Sequence, residues 1–262
     1  MSEELKGRTA LVTGASSGMG VDYARELARR GAGLVLVARR AEALRRLADE
    51  LEPSGAAVQV APADLSDPAA RTDLAAKLAA DGPGIDILVN NAGFGVFGPF
   101  AGSEWARVAQ MLELDVAAVT HLTHLFLPGM LERRWGRVLL AASTAAFQPV
   151  PTYAVYAAGK AYVLSFGTAL NHELRGSGVS CTTICPGVTE TEFFAVAGHR
   201  QTRFQRLAMM SSGAVARQGI AAMLARRPSV VAGRANALMA LSTRLAPRSW
   251  TAAMAALAMR EG

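Results

Sequence analysis

A tyrosine, a lysine and a serine are the residues of this chain whose types and spacing could carry out proton chemistry. Tyr156 and Lys160 lie four positions apart in a helical pattern, so both side chains project from one helix face, and Ser143 lies thirteen residues before the tyrosine. A free phenol titrates near pH ~10, and a fixed cation beside it favours the phenolate, at about 1.4 kcal/mol for each unit of pKa. Tyr156 is therefore a candidate acid or base, and Ser143 could donate to the oxygen that Tyr156 protonates. Because such a pair arises by chance on many helices, it needs support from the rest of the chain.

The elements that must position these side chains follow from apolar runs that alternate with helical patterns. Six strands are predicted, at Arg8–Thr13, Leu34–Ala38, Ala57–Ala61, Ile85–Val89, Arg137–Ala142 and Val179–Ile184. Five helices are predicted between them, at Gly18–Arg30, Ala41–Leu51, Pro68–Ala80, Ser103–Leu127 and Tyr153–Arg175. This alternation predicts one α/β domain over residues 1–262, a doubly wound parallel sheet of about seven strands with helices on both faces. Within it we expect a core over residues 5–190, a substrate lid and last strand over 191–234, and a helical C-terminal extension over 235–262.

The first predicted strand ends in a glycine-rich turn, Thr13–Gly20. Ligands of doubly wound sheets bind at the carboxyl ends of the strands. Glycines let the backbone approach a pyrophosphate, and the helix that follows offers free N–H groups and the positive end of its dipole. The turn therefore favours binding of a cofactor phosphate over a merely structural role. The candidate contacts are Gly14, Ser16, Ser17, Gly18, Met19 and Gly20.

The second predicted strand ends in Ala38, and two arginines, Arg39 and Arg40, follow it. An acidic residue here would hold the adenosine ribose of NAD and repel the extra phosphate of NADP. A charge-assisted phosphate contact contributes roughly 1.5–3 kcal/mol, which is about a ten- to hundredfold preference. The pair therefore favours NADP(H) over NAD(H), and the alternative is a solvated pair of charges at a helix start.

Small and polar residues follow the remaining strands. Asp64 follows the third strand, where it caps a turn and could also accept a hydrogen bond from an adenine amino group. Asn90–Gly93 follows the fourth strand, where the backbone must pass close to a cofactor. Ser143 follows the fifth strand and a Pro186–Thr191 segment follows the sixth. The further candidate cofactor contacts are Asp64, Leu65, Asn91, Ala92, Gly93, Tyr156, Lys160, Pro186, Gly187, Val188 and Thr191.

Composition argues against several other classes of protein. The net charge of +6 is uneven, since residues 1–192 carry 17 Lys and Arg against 20 Asp and Glu, whereas residues 193–262 carry ten Arg against Glu261. These arginines are dispersed among Ala, Leu and Met, so solvated helix faces are favoured over a surface for acidic ligands or anionic lipid, and no nucleic-acid partner is predicted. The two cysteines, Cys181 and Cys185, are expected to be reduced core residues, and no metal site is predicted. The polar N-terminus argues against a signal peptide, no transmembrane span is predicted, and a cytoplasmic protein is the expectation.

Taken together, these motifs resemble the short-chain dehydrogenase/reductase family, whose members have Rossmann-type folds. The resemblance covers roughly residues 5–195 and depends on order and spacing rather than on any one motif. The matching pieces are Thr13–Gly20, Asp64, Asn90–Gly93, Ser143, Tyr156 with Lys160, and Pro186 with Gly187.

The resemblance implies a hydride transfer between NADP(H) and a carbonyl or secondary alcohol. In it Tyr156 is the general acid or base, Lys160 lowers the tyrosine pKa and binds the nicotinamide ribose, and Ser143 orients the substrate oxygen. Thr191 and the backbone near Val188 would hold the nicotinamide carboxamide. The alternative from another class is a nucleotide-binding sensor or scaffold without turnover that uses the basic C-terminal surface.

One residue departs from the family pattern. Many members have an asparagine in the middle of the long fourth helix, where it helps to hold a water that relays protons to the lysine, and here that position is Asp115. An ionised aspartate only accepts hydrogen bonds and would partly neutralise the field of Lys160. The hypothesis is that the proton relay survives with an altered pH dependence, so Asp115 is included among the candidate catalytic residues. The alternative is a harmless replacement whose side chain points at water.

Aromatic side chains are expected to crowd the substrate pocket and favour an apolar substrate. The candidates are Phe94, Phe97, Phe147, Tyr153, Phe193 and Phe194, although half of them could be core residues. Residues 193–210 lack a firm helix or strand pattern and are expected to form a mobile lid. The Met- and Ala-rich end, Ala235–Met259, is expected to cover a subunit interface or pack, in a homodimer or homotetramer, and the alternative is peripheral contact with a membrane surface.

Overall fold

The computed structural model describes residues 4–81, 84–199 and 209–258 of the chain. Its centre is a seven-stranded parallel sheet, as predicted from the alternating pattern. The strands are β1 Thr9–Thr13, β2 Gly33–Ala38, β3 Val58–Pro62, β4 Ile87–Asn90, β5 Gly136–Ala141, β6 Val179–Cys185, β7 Thr189–Glu190, β8 Met210–Ser211 and β9 Ser229–Val231. The order in the main sheet is β3-β2-β1-β4-β5-β6-β9, and the short strands β7 and β8 form a second sheet.

Helices cover both faces of the sheet. They are α1 Gly18–Arg29, α2 Ala41–Leu51, α3 Pro68–Asp81, α4 Trp105–Leu112, α5 Ala118–Glu132, α6 Ala154–Glu173, α7 Phe193–Ala197, α8 Ser212–Leu224, α9 Arg234–Ser242 and α10 Arg248–Ala258. Short 3₁₀ turns lie at Glu52–Ser54, Phe100–Gly102, Thr144–Phe147 and Thr243–Leu245. Each predicted strand and helix up to residue 185 is present, with ends that differ by a few residues.

The alternation of side chains along each strand explains why the sheet has one apolar core layer on each face. Successive side chains point to opposite faces, so Val12 of β1 packs into one layer with Tyr23 and Leu27, while Leu11 packs into the other with Leu122. Strands buried on both faces are apolar without alternation, which is typical of parallel sheets. Cys181 and Cys185 are free and buried in the second layer, as expected from the sequence.

The long helix in the second layer contains a π-helical segment, Glu113–Ala117, between α4 and α5. The predicted end of this helix at Leu127, one residue before Pro128, is wrong. The helix continues through Pro128 to Glu132 because Met130 is buried against the sheet, so that tertiary packing outweighs the hydrogen bond lost at the proline. A π segment adds one residue to a turn and often occurs at functional sites. Here it contains the buried Asp115.

By length and composition this helix, Trp105–Glu132, could also cross a bilayer, with a mean hydropathy of 1.2 over its most apolar window. It is the one such helix among the described residues. In the fold one face of this helix packs in the core, where Val119, Leu122 and Met130 are buried against the sheet. This packing accounts for the 33% of the apolar window that is buried.

The segment after β6 is more regular than the sequence pattern indicated. Residues 193–197 form α7, which ends at Gly198 with a positive φ of 78°, and Met210 pairs with Thr189 in the small sheet. Residues 200–208 of the expected lid lie outside the described residues. β9 is the last strand of the main sheet and lies in the expected range, 191–234.

Candidate active site

The carboxyl ends of β1 and β4 are joined by a hydrogen-bond network around Thr13. Its Oγ1 donates to Val89 O at 3.1 Å and accepts from the backbone N–H groups of Asn91 at 2.9 Å and Ala92 at 3.0 Å. Asn91 Nδ2 donates back to Thr13 O at 3.0 Å. The network fixes the loop after β4 against the glycine turn, so the two loops form one wall of a cleft.

Two glycines of the first turn have no room for a side chain. Gly14 has a φ of +68°, and a Cβ there would lie 2.9 Å from the Cα of Ala92. A Cβ on Gly20 would collide with the carbonyl oxygen of Gly14. No side chain caps the N-terminus of α1 at Ser17, and its first turn holds no acidic residue, so its N–H groups face the cleft. This cradle fits the pyrophosphate of a dinucleotide.

The cleft beside this turn has a volume of about 360 Å³. Most predicted cofactor contacts line it, namely Gly14, Ser16, Ser17, Gly18, Met19, Arg39, Arg40, Asp64, Leu65, Asn91, Ala92, Gly93 and Thr191. Gly20 lies beneath the turn, while Tyr156, Pro186, Gly187 and Val188 line a second, neighbouring cavity. Two charged residues in the cleft were missed from the sequence, Arg107 and Glu192, because neither lies at a strand end.

The arginines after β2 have different surroundings. Arg40 hydrogen-bonds Ser16 Oγ and Ser16 O at 3.3 Å each and pairs with Glu192 at 3.2 Å, so it joins the glycine turn to the segment after β7. Arg39 is exposed and forms no ion pair or hydrogen bond within the described residues. Asp64 accepts from Ser66 N at 3.0 Å and Ser66 Oγ at 2.7 Å, which caps the turn as predicted. Burial raises the pKa of Asp64, but these bonds and the charge of Arg39 lower it further, and the net pKa lies below its usual value.

Tyr156, Lys160 and Ser143 come together at the ends of β5 and β6. The ammonium of Lys160 lies 5.6 Å from the centre of the Tyr156 ring and donates to the carbonyl of Ala141 at 3.1 Å. Ser143 acts on the Tyr156 side chain by lowering its pKa, and its Oγ accepts from the backbone N–H of Ala145 at 3.1 Å. Lys160 is buried, whereas Tyr156 is partly exposed to the cavity.

Asp115 is buried beside this group, so the expectation that it points at water is wrong, while its effect on the relay stays a prediction. Its Oδ2 lies 3.0 Å from the ammonium of Lys160, and its Oδ1 accepts from the backbone of Phe94 at 3.0 Å. A Cβ on Gly93 would lie 2.9 Å from this carboxylate, so the glycine after β4 leaves room for it. Lys160 is therefore held between a carboxylate and a backbone carbonyl.

The charges of this group act on one another. The pKa of Tyr156 is raised by burial and by the charge of Asp115, and it is lowered by Lys160 and by Ser143. Because burial is the largest of these effects, the net pKa lies above the ordinary value. The expected lowering by Lys160 is thus present but is outweighed by burial and by Asp115. Burial lowers the pKa of Lys160, yet Asp115 and Tyr156 raise it above normal, and burial raises the pKa of Asp115 against the pull of Lys160.

The second cavity, of about 230 Å³, opens from the Tyr156 hydroxyl and is mostly apolar. Of the predicted aromatic residues, Tyr153, Phe193 and Phe194 line it. Phe94 instead lines the cofactor cleft, where the guanidinium of Arg107 lies 4.7 Å from its ring centre. The remaining two predictions are corrected below.

Phe97 and Phe147 line neither cavity. Phe97 lies behind Tyr153, with ring centres 5.3 Å apart, and stacks on His199 at 4.1 Å. Phe147 ends a 3₁₀ turn and packs against the second core layer, because the turn directs it towards the sheet. The Tyr153 hydroxyl lies 3.0 Å from Nδ1 of His199, which fixes the end of α7 against α6.

Three residues of the cavity come from the C-terminal extension and were missed from the sequence. Met239 of α9 and Ala255 and Ala258 of α10 line the cavity together with Ser143 and Tyr156. Small apolar residues on a helix are compatible with many roles, so no local signal could have placed them here.

Comparison with known proteins agrees with this geometry. A family model described as short chain dehydrogenase matches residues 8–202. The chain is 32% identical to 17-beta-hydroxysteroid dehydrogenase type 3 of Mus musculus, over 91% of this chain and 82% of that protein. A short-chain dehydrogenase from Sphingobium yanoikuyae, solved in complex with NADPH, is similar in structure with a TM-score of 0.80 and 33% identity, covering 91% of this chain and 94% of that one. A short-chain dehydrogenase/reductase from Burkholderia phymatum in complex with NAD has a TM-score of 0.81 and 29% identity, with 91% and 93% covered.

Proposed function

Because this chain belongs to the short-chain dehydrogenase/reductase family, we propose that it transfers a hydride between NADP(H) and a carbonyl or secondary alcohol of an apolar small molecule. The family makes it an oxidoreductase of CH–OH groups that uses a nicotinamide cofactor. The observation that carries the proposal is an apolar cavity lined by Ser143 and Tyr156, with Lys160 buried beside the tyrosine. This cavity shares Met19, Thr191 and Phe193 with the cleft that contains the phosphate cradle.

The preference for NADP(H) is argued from the end of β2. Ala38 offers no carboxylate to the ribose, and Arg39 is exposed at the cleft and forms no hydrogen bond or ion pair within the described residues. A 2′-phosphate would give Arg39 a partner, and Arg40 would face it from the next position. Related structures contain either NADPH or NAD, so the preference needs a direct measurement.

The protein's own part in the reaction is proton transfer and charge stabilisation. The cofactor, when bound, supplies or accepts the hydride. Tyr156 gives its proton to the substrate oxygen during reduction and takes it back during oxidation, while Ser143 donates a hydrogen bond to the same oxygen. Lys160 stabilises the phenolate that reduction leaves behind, and Asp115 keeps Lys160 protonated in a buried position.

The substrate class is argued from the cavity. Tyr153, Phe193, Phe194 and Met239 give it apolar walls. Its polar lining residues are Ser143, Tyr156, Thr144, Gln148, Thr189 and Thr191. An apolar ketone or secondary alcohol would place its one oxygen against the hydroxyls of Ser143 and Tyr156. The hydroxysteroid activity in the name of the mouse relative is in keeping with such a substrate.

Titration with NADPH and NADH, followed by a panel of aldehydes, ketones and alcohols, tests the proposal. We expect tighter binding of NADPH, turnover of apolar carbonyls, and a loss of turnover of about 10²–10⁴-fold in Tyr156→Phe with cofactor binding retained. Tight binding without turnover of any carbonyl or alcohol would favour the non-catalytic sensor. Failure to bind either nucleotide would contradict the assignment of the cradle.

A cytoplasmic location and a homodimer or homotetramer remain proposals. Fractionation of cells and sedimentation of the purified protein test them separately. Neither outcome affects the assignment of the catalytic group, because all its residues come from one chain.

A further inference from the structure

The C-terminal segment, residues 234–258, concentrates the exposed apolar side chains of the molecule. Twelve large hydrophobic residues are exposed in the described chain, and seven of them belong to this segment. Leu245 is 88% exposed, Leu238 and Met254 are 70% exposed, and Trp250 is 68% exposed. Isolated exposed apolar residues are ordinary, but a concentration of this kind marks a surface that contacts something else.

These side chains form stripes on two helices rather than a random scatter. Leu238 and Leu241 lie three residues apart on α9, and Leu245 follows four residues later in the turn. On α10, Trp250, Met254 and Leu257 occupy one face, while Thr251 and Ala255 face the protein. The period of both stripes is that of an amphipathic helix, and here the inner face is already covered by the fold.

The same segment is positively charged and has no acidic residue. Arg234, Arg244 and Arg248 are exposed and form no ion pair within the described residues. From residue 193 onward the only acidic residue is Glu261, against ten arginines. An apolar stripe with an interfacial tryptophan and flanking arginines matches the chemistry of an anionic lipid surface, in which the rings enter the headgroup region and the cations contact lipid phosphates.

A second copy of the chain fits this surface less well. In a two-fold interface each patch meets itself, so the arginines of one copy would approach those of the other. Like charges across an interface are unfavourable, whereas an anionic membrane neutralises them. We therefore propose that the face formed by α9, the turn after it and α10 docks on membranes that contain anionic lipids.

The position of the substrate cavity agrees with this proposal. Met239, Ala255 and Ala258 line the cavity from the same two helices that carry the exposed stripes. Docking would therefore bring this wall of the cavity close to the lipid phase. The proposal does not depend on the reaction, because binding to lipid can be measured without substrate.

Co-sedimentation of the full-length protein with vesicles tests the proposal. Phosphatidylcholine vesicles and vesicles with equal parts phosphatidylcholine and phosphatidylserine are compared at low and high salt. We expect binding to the mixed vesicles only, weakened by salt. Trp250→Gln should weaken it about tenfold and the double variant Arg244→Gln/Arg248→Gln about 30-fold. The matched controls are Trp105→Gln, at a residue 67% exposed elsewhere, and Arg46→Gln/Arg175→Gln, which remove the same charge from other faces.

Three results would overturn the proposal. The first is no binding to the mixed vesicles at low salt. The second is a loss of vesicle binding in the control variants as large as in the test variants, or a loss in the variant Arg244→Gln/Arg248→Gln but not in Trp250→Gln. Either pattern would show general electrostatic attraction without insertion of the apolar side chains. The third is a change of oligomeric state on sedimentation of Trp250→Gln together with absence of vesicle binding, which would assign the face to a second copy of the chain.

Discussion

Replacement of Asp115 by asparagine should move the pH dependence of the reaction to lower pH. Asparagine keeps the shape of the side chain and can still accept from the backbone of Phe94, so the main loss is one negative charge beside Lys160. Asp115 contributes to raising the pKa of Tyr156, and it also partly neutralises Lys160, which lowers that pKa. These are two descriptions of one charge, and with Lys160 protonated the removal of that charge lowers the pKa of Tyr156.

The size of the shift follows from the distances. The carboxylate lies 3.0 Å from an ammonium that is itself 5.6 Å from the centre of the Tyr156 ring. Asp115 is therefore within about 9 Å of the ring, where a unit charge at an effective dielectric constant of about 20 contributes about 2 kcal/mol. This free energy corresponds to a little over one unit of pKa, so we expect a downward shift of about one unit.

The assay is the oxidation of an accepted alcohol, because that direction needs the phenolate. Activity rises as pH passes through the pKa of Tyr156, so the rising limb of kcat/KM should lie at lower pH in Asp115→Asn than in the wild type. The matched control is Asp64→Asn, which removes a carboxylate from the cofactor cleft and should leave the limb in place. An unchanged limb in a folded Asp115→Asn protein would refute the electrostatic coupling.

Three further substitutions test the cradle, the cofactor preference and the cavity. Gly20→Ala should reduce both thermal stability and cofactor affinity, because its Cβ would collide with a carbonyl of the turn, whereas Gly102→Ala has open space and should change neither; equal melting temperatures and affinities would contradict the clash. Ala38→Asp should weaken NADPH binding by about ten- to hundredfold relative to NADH, measured by fluorescence titration, since the carboxylate would repel the 2′-phosphate at its proposed position; an unchanged ratio would show that this position does not select the cofactor. Ala255→Leu should raise the KM for bulky substrates, because this residue lines only the apolar cavity. The KM for small substrates and the affinity for NADPH should not change. Equal effects on bulky and small substrates would contradict the assignment.

The fold and the cofactor cleft could be predicted because their signals are local. A parallel sheet buried on both faces needs apolar runs, and the turns at its carboxyl edge need glycines and small polar residues at defined places. Gly14 and Gly20 are required by contacts within a few residues along the chain or across one loop. The order of these motifs therefore predicted both the sheet and most of the cleft.

The surroundings of Asp115 were harder to predict because they depend on packing across the sheet. The residue type alone is compatible with an exposed position or with a buried ion pair. The π segment turns it inward, and Gly93 leaves room for its carboxylate beside Lys160. The same limitation explains the end of the long helix, which continues beyond the predicted Leu127 because Met130 is buried against the sheet.

The roles of the C-terminal segment were also hard to predict, since neighbouring residues on one helix have separate roles. Ala255 faces the cavity, and Met254, one position earlier and about 100° around the helix, is exposed. A sequence of Ala, Leu and Met is apolar on both faces, so its pattern cannot show which face the fold covers. Once the fold assigns Ala255 to the cavity, the exposed apolar residues have no covering layer in the described chain, and the nearby arginines favour an anionic lipid as the surface that covers them.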